Sequence, residues 1–484
     1  MRHPFSSLPR ALIALLSVRQ AYALGEYLDV CNQIKASVSN ASDVFFPGSI
    51  TYSNDIEHWA GSSTQQAACS VEPGTAADVG TVLKIVGAGA VPFAVKGGGH
   101  ASNPGFSSTT GIHISMARFS DVVYNASSKT ATIGTGLVWD DVYAALEPYG
   151  VNIVGGRVTG VGVAGFTLGG GYSWKSNQYG LTVDTLVSYE LVFTNGTVRT
   201  VTASDADLFW ALKGGGNNFG VVTHFTLKTF PQTEVYGGII IYTGDQIAAL
   251  ANATLTFQNT VTDLKAAIIT TLNVAAGLPG AVLLLFYDAP TAPAGTFDMF
   301  MNIPAFSKDV KTRSFSSLVQ AAPSDAVPPT RAIFDTITVP SYTPALMTAI
   351  VNETLVRGST LALQTGTFIS YEIEPFAQGF LQRNRTSDSA YPPTRSQGAP
   401  LNIYYGWTIP TVDTSFQDAA RDSAARLESI VGTRTKLPRY PNYAIYDTPL
   451  TDMYGASGPA RLKRIAQRVD PKGVMKLAGG FKLQ

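Results

Sequence analysis

Two spacings of apolar residues run along this chain, and they separate its helices from its strands. From Tyr27 to Val38, and again after Thr75, apolar residues recur every three to four positions. In the second stretch Val79, Val82, Leu83 and Val86 share one face, and both stretches are predicted as helices. Gly87 and Gly89 are expected to end the second. Trp139–Leu146 and the turn at Asp207–Lys213 also read as helical, as does Ser415–Val431. Short runs rich in β-branched residues predict strands at Val91–Val95, Ile112–Met116 and Val221–Thr229, with a turn at Asn125–Ser128. Leu186–Phe193 and Thr197–Ala203 flank Asn195-Gly196, which predicts a hairpin. Beyond Phe230-Pro231 the glycine clusters stop, and strands at Gly238–Tyr242, Ala266–Leu272, Ala281–Tyr287, Thr365–Ile373 and Asn402–Trp407 mix with helices. That texture predicts a second unit, an antiparallel sheet covered by helices.

At 484 residues the chain exceeds one ordinary core, so several units are expected. Charged residues make up 14%, well under the roughly 25% of an average domain, which argues against disorder and against a polybasic nucleic-acid binder. Lys+Arg 34 balances Asp+Glu 34, so no overall field draws the chain to nucleic acid or anionic lipid. The first residues look like a targeting segment, with Arg2, His3 and Arg10 before the apolar run Ala11–Val18 and an Ala21-Tyr22-Ala23 cleavage pattern. The alternative is a structureless start. The run is too short to span a bilayer, and no later stretch is long and apolar enough. Six N-x-S/T sequons, at Asn40, Asn125, Asn195, Asn252, Asn352 and Asn384, fit export and N-glycans. Cys31 and Cys69 are the only cysteines; in an oxidising compartment they read as one disulfide, otherwise as two buried thiols.

The chemistry is concentrated in the glycines. No G-x-S-x-G, H-E-x-x-H or C-x-x-C occurs, and the five histidines are scattered, which argues against a hydrolase elbow or a dedicated metal site. Gly160-Val161-Gly162-Val163-Ala164-Gly165 matches G-x-G-x-x-G literally. A Rossmann fingerprint needs a helix to open there, and Gly169-Gly170-Gly171 follows too soon to carry one on. What survives is that glycine backbones let N–H groups converge on an anion, so such loops suit a pyrophosphate. His100, directly after Gly97-Gly98-Gly99, faces whatever that loop binds; the plain alternative is a surface or core histidine.

Four motifs in order carry a resemblance. Val95-Lys96-Gly97-Gly98-Gly99-His100, the Gly155–Gly171 stretch with Tyr172, Asp207-Leu208-Phe209-Trp210-Ala211-Leu212-Lys213-Gly214-Gly215-Gly216-Asn217, and Tyr440-Pro441-Asn442-Tyr443 are similar to berberine-bridge-enzyme-like FAD-linked oxidases of the vanillyl-alcohol-oxidase/PCMH superfamily. The C-terminal Asp470-Pro471-Lys472-Gly473-Val474 and Gly479-Gly480-Phe481 fit the same pattern, so the likeness spans roughly Cys69 to Gln484.

The resemblance implies an α+β, two-domain PCMH-type FAD-binding fold whose substrate domain is an antiparallel sheet covered by helices. Its expected parts are a signal peptide (1–23), an N-terminal segment (24–62), the FAD-binding domain (63–233), the substrate domain (234–433) and a C-terminal segment (434–484) returning to the FAD domain. It implies FAD bonded covalently to His100. Lys96 stands where the family has an arginine, keeping the charge without its fork. Further cofactor contacts are expected from Gly97, Gly98, Gly99, Ala101, Ser102, Val161, Gly162, Gly165, Gly170, Gly171, Gly220, Val222 and Asn442. Val158 occupies the place where many relatives carry a second, cysteine tether, so attachment through His100 alone is expected. For catalysis the resemblance singles out Tyr172 and Tyr440 and, at the position of a glutamate or glutamine base, Tyr404. Glu372 and Glu374, sharing a strand face, are fallback bases. A tyrosine needs its pKa lowered by neighbours to serve; otherwise it stacks on substrate or packs in the core. Val161 implies room for O2, hence an oxidase producing H2O2.

The expected function is that of a secreted monomeric oxidase acting on a sugar or natural-product alcohol, with O2 as its other partner and neither nucleic acid nor membrane. Two alternatives stand beside it: a cyclising or desaturating step in secondary metabolism, and a flavin-bearing binding glycoprotein with vestigial catalysis.

Overall fold

The structure is a computed structural model that describes residues 25–324, 329–384, 388–395, 398–433 and 436–483. The expected signal peptide lies outside the described residues.

The described strands and helices pack as two units. The first holds two small sheets and the short pair Val151–Asn152 and Phe230–Pro231. In one, Asp43–Phe45, Cys69–Glu72, Ile112–Ser115 and Phe93–Lys96 lie side by side in that order. Cys69–Glu72 and Phe93–Lys96 flank Ile112–Ser115 in parallel. The N-terminal segment, expected as a separate part, therefore supplies an edge strand of this sheet. The other is antiparallel, in the order Val122–Asn125, Thr130–Gly134, Val221–Lys228, Leu186–Val192, Val198–Thr202. Its hairpin turns on Asn195-Gly196, where Gly196 takes φ +85°, a left-handed value that suits glycine.

The helix Ala76–Ala88 begins where Thr75 accepts a hydrogen bond from the Asp78 amide, and it buries Val79, Val82, Leu83 and Val86 against the first sheet. It ends at Gly89 and runs through Gly87, contrary to the expectation that both glycines stop it. A Cβ at Gly87 would lie 2.7 Å from the Val474 side chain, so close packing, not termination, explains that glycine.

The second unit is a seven-stranded antiparallel sheet, ordered Ser307–Arg313, Val235–Thr243, Leu278–Tyr287, Ala266–Ala275, Gly366–Ile373, Ala399–Trp407, Arg331–Val339. Strand side chains alternate between faces. Ile240, Leu272, Leu283, Leu285, Ile369 and Ile403 join one apolar core with the helices Ile247–Thr260, Pro344–Ala362 and Asp413–Val431. Their neighbours Ile239, Thr271, Val282, Leu284 and Phe368 point the other way, into a cavity shared with the first unit. The fold class read from the sequence, α+β with an antiparallel sheet covered by helices, is the one found.

The C-terminal stretch packs back on the first unit. Asn103 Nδ2 donates to the Ala444 carbonyl at 2.9 Å, and Asn217 and Asn218 donate to the carbonyls of Gly479 and Phe481 at 3.1 Å each. Cys31 and Cys69, both buried, form a disulfide that ties the helix Leu28–Ser37 to the strand Cys69–Glu72. Among the described residues, no helix is long and apolar enough to cross a membrane.

Candidate functional site

A cavity of about 690 Å³ separates the two units, within the roughly 300–1,000 Å³ of cofactor and ligand sites. Its near wall is backbone. The strand Phe93–Lys96 delivers Gly97-Gly98-Gly99-His100 to it, and the segment around Gly162 lies directly against this loop. A Cβ on Gly98 would meet the Gly162 Cα at 2.5 Å, so only two glycines allow this approach. The loop is held from both units. The Trp59 amide donates to the Gly99 carbonyl at 3.0 Å, and Ser63 Oγ donates to the Ala101 carbonyl at 2.8 Å. Ser102 Oγ accepts from the Phe334 amide of the large sheet at 3.2 Å. The His100 ring stacks on Trp59, centroids 4.4 Å apart.

Of the expected cofactor residues, Gly97, Gly98, Gly99, His100, Ala101, Ser102, Val161, Gly162, Gly165, Gly220, Val222 and Asn442 all line this cavity. Lys96, Gly170 and Gly171 do not, and each departure has a physical reason. Lys96 turns behind the loop, where its Nζ donates to the carbonyls of Asn54 and Asp55 at 3.1 and 2.7 Å. These carbonyls end the helix Ile50–Ile56 and attract a cation, which takes Lys96 away from the phosphate role expected of it. Gly170 and Gly171, at φ +128° and +86°, turn the chain beneath Tyr391 and Tyr440. The Gly171 amide donates to the Tyr440 hydroxyl at 3.2 Å. Their part is to place tyrosines.

The G-x-G-x-x-G match follows the expectation that Gly169-Gly170-Gly171 cuts its helix short. A helix does open after Gly162, but it covers only Val163–Leu168 before Gly169 ends it. Of the two neighbouring sheets, one is antiparallel and the other mixed, with three of its four strands parallel. Val158 lines the cavity too, and both cysteines of the chain are committed to the disulfide.

These residues fit FAD. Crowded glycine backbone offers amides to a diphosphate, the volume suits a dinucleotide, and an imidazole stands at the end of the loop.

The far wall is the large sheet, and there the chemistry changes. Ile239, Ile269, Val282, Leu284, Phe334 and Phe368 make it apolar, with Thr271, Glu372, Asn402 and Tyr404 as the polar positions of the strands. Glu372 lies in register between Thr271 on one side and Asn402 on the other. Asn402 Nδ2 donates to its carboxylate at 2.8 Å. Burial, with the Glu374 charge adding to it, pushes the Glu372 pKa up to about 7. Glu374 has a different setting: Arg157 Nη1 sits 2.7 Å from it, and the Tyr443 hydroxyl donates to it at 3.2 Å.

Of the three tyrosines expected as bases, Tyr172 and Tyr440 are buried and Tyr404 is half-buried. Tyr172 and Tyr440 meet edge to face at 4.7 Å, and the hydroxyls of Tyr172 and Tyr391 are 3.1 Å apart. Tyr440 also accepts from Asn442 Nδ2 at 2.8 Å. Burial pushes Tyr440 up to about 12 and raises Tyr172 and Tyr404 as well. At pH 7 a phenol of pKa about 12 is ionised in about one molecule in 100,000. Of these groups the Glu372 carboxyl is the one whose pKa lies nearest neutrality.

The sequence reading missed Trp59, Phe334 and Arg157. Nothing near Trp59 or Phe334 marks them. Arg157 did leave a trace, as a lone cation directly after Gly155-Gly156 in a stretch otherwise free of charge.

An FAD-binding-domain family model matches residues 67–202. An uncharacterized FAD-linked oxidoreductase of Arthroderma benhamiae is 36% identical over 319 residues, covering 64% of this chain and 63% of that protein. FAD-dependent monooxygenase tpcD of Cochliobolus heterostrophus is 31% identical over 443 residues, covering 86% of this chain and 85% of that one. The match spans less of the first three curated relatives, 63%, 48% and 57% of their lengths. In fold, the chain is similar to BBE-like 1 of Physcomitrella patens (TM-score 0.76, 22% identity, 94% of this chain and 99% of that one). It is likewise similar to a chitooligosaccharide oxidase (TM-score 0.74, 20% identity, 95% and 100%). With a relative aligned over most of both chains, an FAD-binding-domain match over the His100 and Gly162 loops, and a cavity to suit, this chain belongs to the FAD-dependent oxidoreductase family of that relative and has the fold of berberine-bridge-enzyme-like proteins.

Proposed function

We propose that the protein is an oxidase that takes a hydride from a hydroxyl-bearing small molecule, with FAD tethered through His100 alone and O2 as the final acceptor. The observation that carries this reading is Glu372, a carboxyl held near neutrality, in the same cavity as His100. When bound, the flavin supplies the hydride acceptor and passes the electron pair to O2, giving H2O2.

The chain's own residues do the rest. Glu372 accepts the substrate hydroxyl proton as the C–H bond breaks, so one proton and one hydride leave the alcohol and a carbonyl remains. Asn402 holds the Glu372 carboxylate by its 2.8 Å bond, so the oxygen that accepts is fixed in place. Tyr404, kept protonated by burial, is a hydrogen-bond donor toward the substrate oxygen. The apolar strands exclude water around it.

That apolar wall favours a natural-product alcohol over a sugar. A saccharide brings several hydroxyls, each costly to bury without a partner, and on this sheet face partners are confined to Thr271, Glu372, Asn402 and Tyr404, while Ile239, Ile269, Val282, Leu284, Phe334 and Phe368 offer none. The same wall supports a second reading, a cyclising or desaturating step. A relative covering much of this chain is named bifunctional solanapyrone synthase, of Alternaria solani, at 28% identity over 483 residues.

The reading takes the chain as a secreted glycoprotein. Supporting it, the asparagines of all six sequons are exposed, and the two cysteines are joined.

Peroxide release tests the function. Cinnamyl alcohol, 4-hydroxybenzyl alcohol and geraniol are expected to outperform cellobiose and chitobiose. The reverse order replaces the natural-product assignment by a sugar. Reduction of bound flavin by none of them favours the binding-glycoprotein alternative. Val161→Leu is expected to suppress peroxide release while flavin reduction persists; unchanged peroxide release removes Val161 as the determinant of O2 access.

A further inference from the structure

We infer that Arg157, Glu374 and Tyr443 form a positioning unit that fixes a negative charge beside Glu372 and so sets where that carboxyl gives up its proton. The inference rests on the reading of Glu372 as proton acceptor.

The three side chains close a triangle. Arg157 Nη1 lies 2.7 Å from Glu374, Arg157 Nη2 donates to the Tyr443 hydroxyl at 3.0 Å, and that hydroxyl donates on to Glu374 at 3.2 Å. Arg157 is 8% exposed and Glu374 1%, so water screens neither. The Phe376 ring lies 5.7 Å from the guanidinium and covers it. The guanidinium thus stands as the buried counter-ion of Glu374.

Glu372 stands two residues earlier on the same side of the chain, roughly 6.6 Å away at strand spacing. Its other neighbours carry no charge: Thr271 on one adjoining strand, Asn402 and Tyr404 on the other, Ser370 on its own strand. The charged groups that reach it are thus Glu374, which holds its proton on, and Arg157, which opposes this with the weaker effect.

Opposite consequences follow for the two partners, which simple damage to the fold does not produce. Glu374→Gln removes the near negative charge and exposes Glu372 to Arg157. Arg157→Met leaves two carboxyls together without a counter-ion, and they titrate as a coupled pair. The readout is the pH titration of the Glu372 carboxyl band in difference infrared spectra of the flavin-loaded protein, assigned by its loss in Glu372→Gln. The midpoint is expected to fall by about one pH unit in Glu374→Gln, and the upper midpoint of the pair to rise by about one unit in Arg157→Met. The double variant is expected to return toward the wild-type value, and Arg157→Lys to lie between wild type and Arg157→Met. Shifts in the same direction, or none, overturn the inference. If Arg157→Met does not fold, Glu374→Gln and Arg157→Lys decide it by the same opposite signs. Peroxide release that persists in Glu372→Gln removes the proton-acceptor reading and leaves the titration result standing.

Discussion

The indole of Trp59 lies parallel to the imidazole of His100, ring centroids 4.4 Å apart and planes 14° apart. Trp59 is itself pinned to the other unit, its Nε1 donating to the Ser324 carbonyl at 2.9 Å and its ring 5.4 Å from Phe334. One residue therefore sets the tilt of the imidazole and registers the two cavity walls. If His100 carries the flavin, acid precipitation leaves the wild-type colour in the pellet. His100→Ala is expected to release all of it to the supernatant. Trp59→Ala is expected to lower the acid-stable fraction severalfold, because the imidazole loses the surface that orients it. A yellow supernatant from the wild type ends the covalent reading.

Glu372 links function to stability. Its folded pKa of about 7 lies above its ordinary value of 4.5, so the folded state holds a proton that the unfolded chain has given up. Its favourable contribution is complete below pH 4.5 and is lost as pH rises through 7. At 1.36 kcal/mol per unit, the loss amounts to at most about 3.4 kcal/mol. The urea midpoint is expected to fall between pH 5 and 8 in the wild type and to fall less in Glu372→Gln. Parallel profiles would mean that the carboxyl does not titrate in this range.

How much of this was legible in sequence depends on whether a signal is local. The Asn195-Gly196 hairpin and the helix Trp139–Leu146 rest on neighbouring residues alone, and both are present. The edge strand Ser307–Arg313 went unnoticed because Ser-Lys-Asp-Val-Lys-Thr-Arg faces solvent and carries no apolar period. The helix Pro344–Ala362 was missed because Thr348, Asn352, Thr354 and Ser359 dilute its stripe. In the site, the glycine loop announced His100. Whether Lys96 faces the cavity depends on where the helix Ile50–Ile56 docks, and the acidity of Glu372 depends on which strands flank it. Both are settled only by tertiary packing.

Gly98 and Gly162 define a contact that admits no side chain from either partner. A Cβ at Gly98 would lie 2.5 Å from Gly162 Cα, and one at Gly162 would lie 2.6 Å from Gly98 N. The atoms met are backbone, so neither clash relaxes by a rotamer change. Gly98→Ala and Gly162→Ala are each expected to cost about 1–3 kcal/mol and to lower the flavin-to-protein absorbance ratio. Because both force apart the same two loops, the double variant is expected to cost less than the two added together. Gly165→Ala is the contrast: its Cβ would meet nothing within 4 Å, so the fold is expected to keep its stability while the side chain intrudes on the cavity. Full additivity in the double variant would show that the loops yield independently.

The disulfide separates stability from cofactor binding. Cys31 and Cys69 are 38 positions apart, and closing a loop of that size in the unfolded chain is worth about 4 kcal/mol in the chain-entropy account. The bond pins the helix Leu28–Ser37 to the outer face of the four-stranded sheet, and neither cysteine lines the cavity. Reduction under native conditions, or Cys31→Ala with Cys69→Ala, is therefore expected to lower the urea midpoint while the flavin content of the folded protein stays unchanged. The glycine loop adjoins the same sheet through the strand Phe93–Lys96, two positions across from Cys69–Glu72. A double variant that folds but loses its flavin would mean that the N-terminal helix, acting through that sheet, holds the loop in its binding shape.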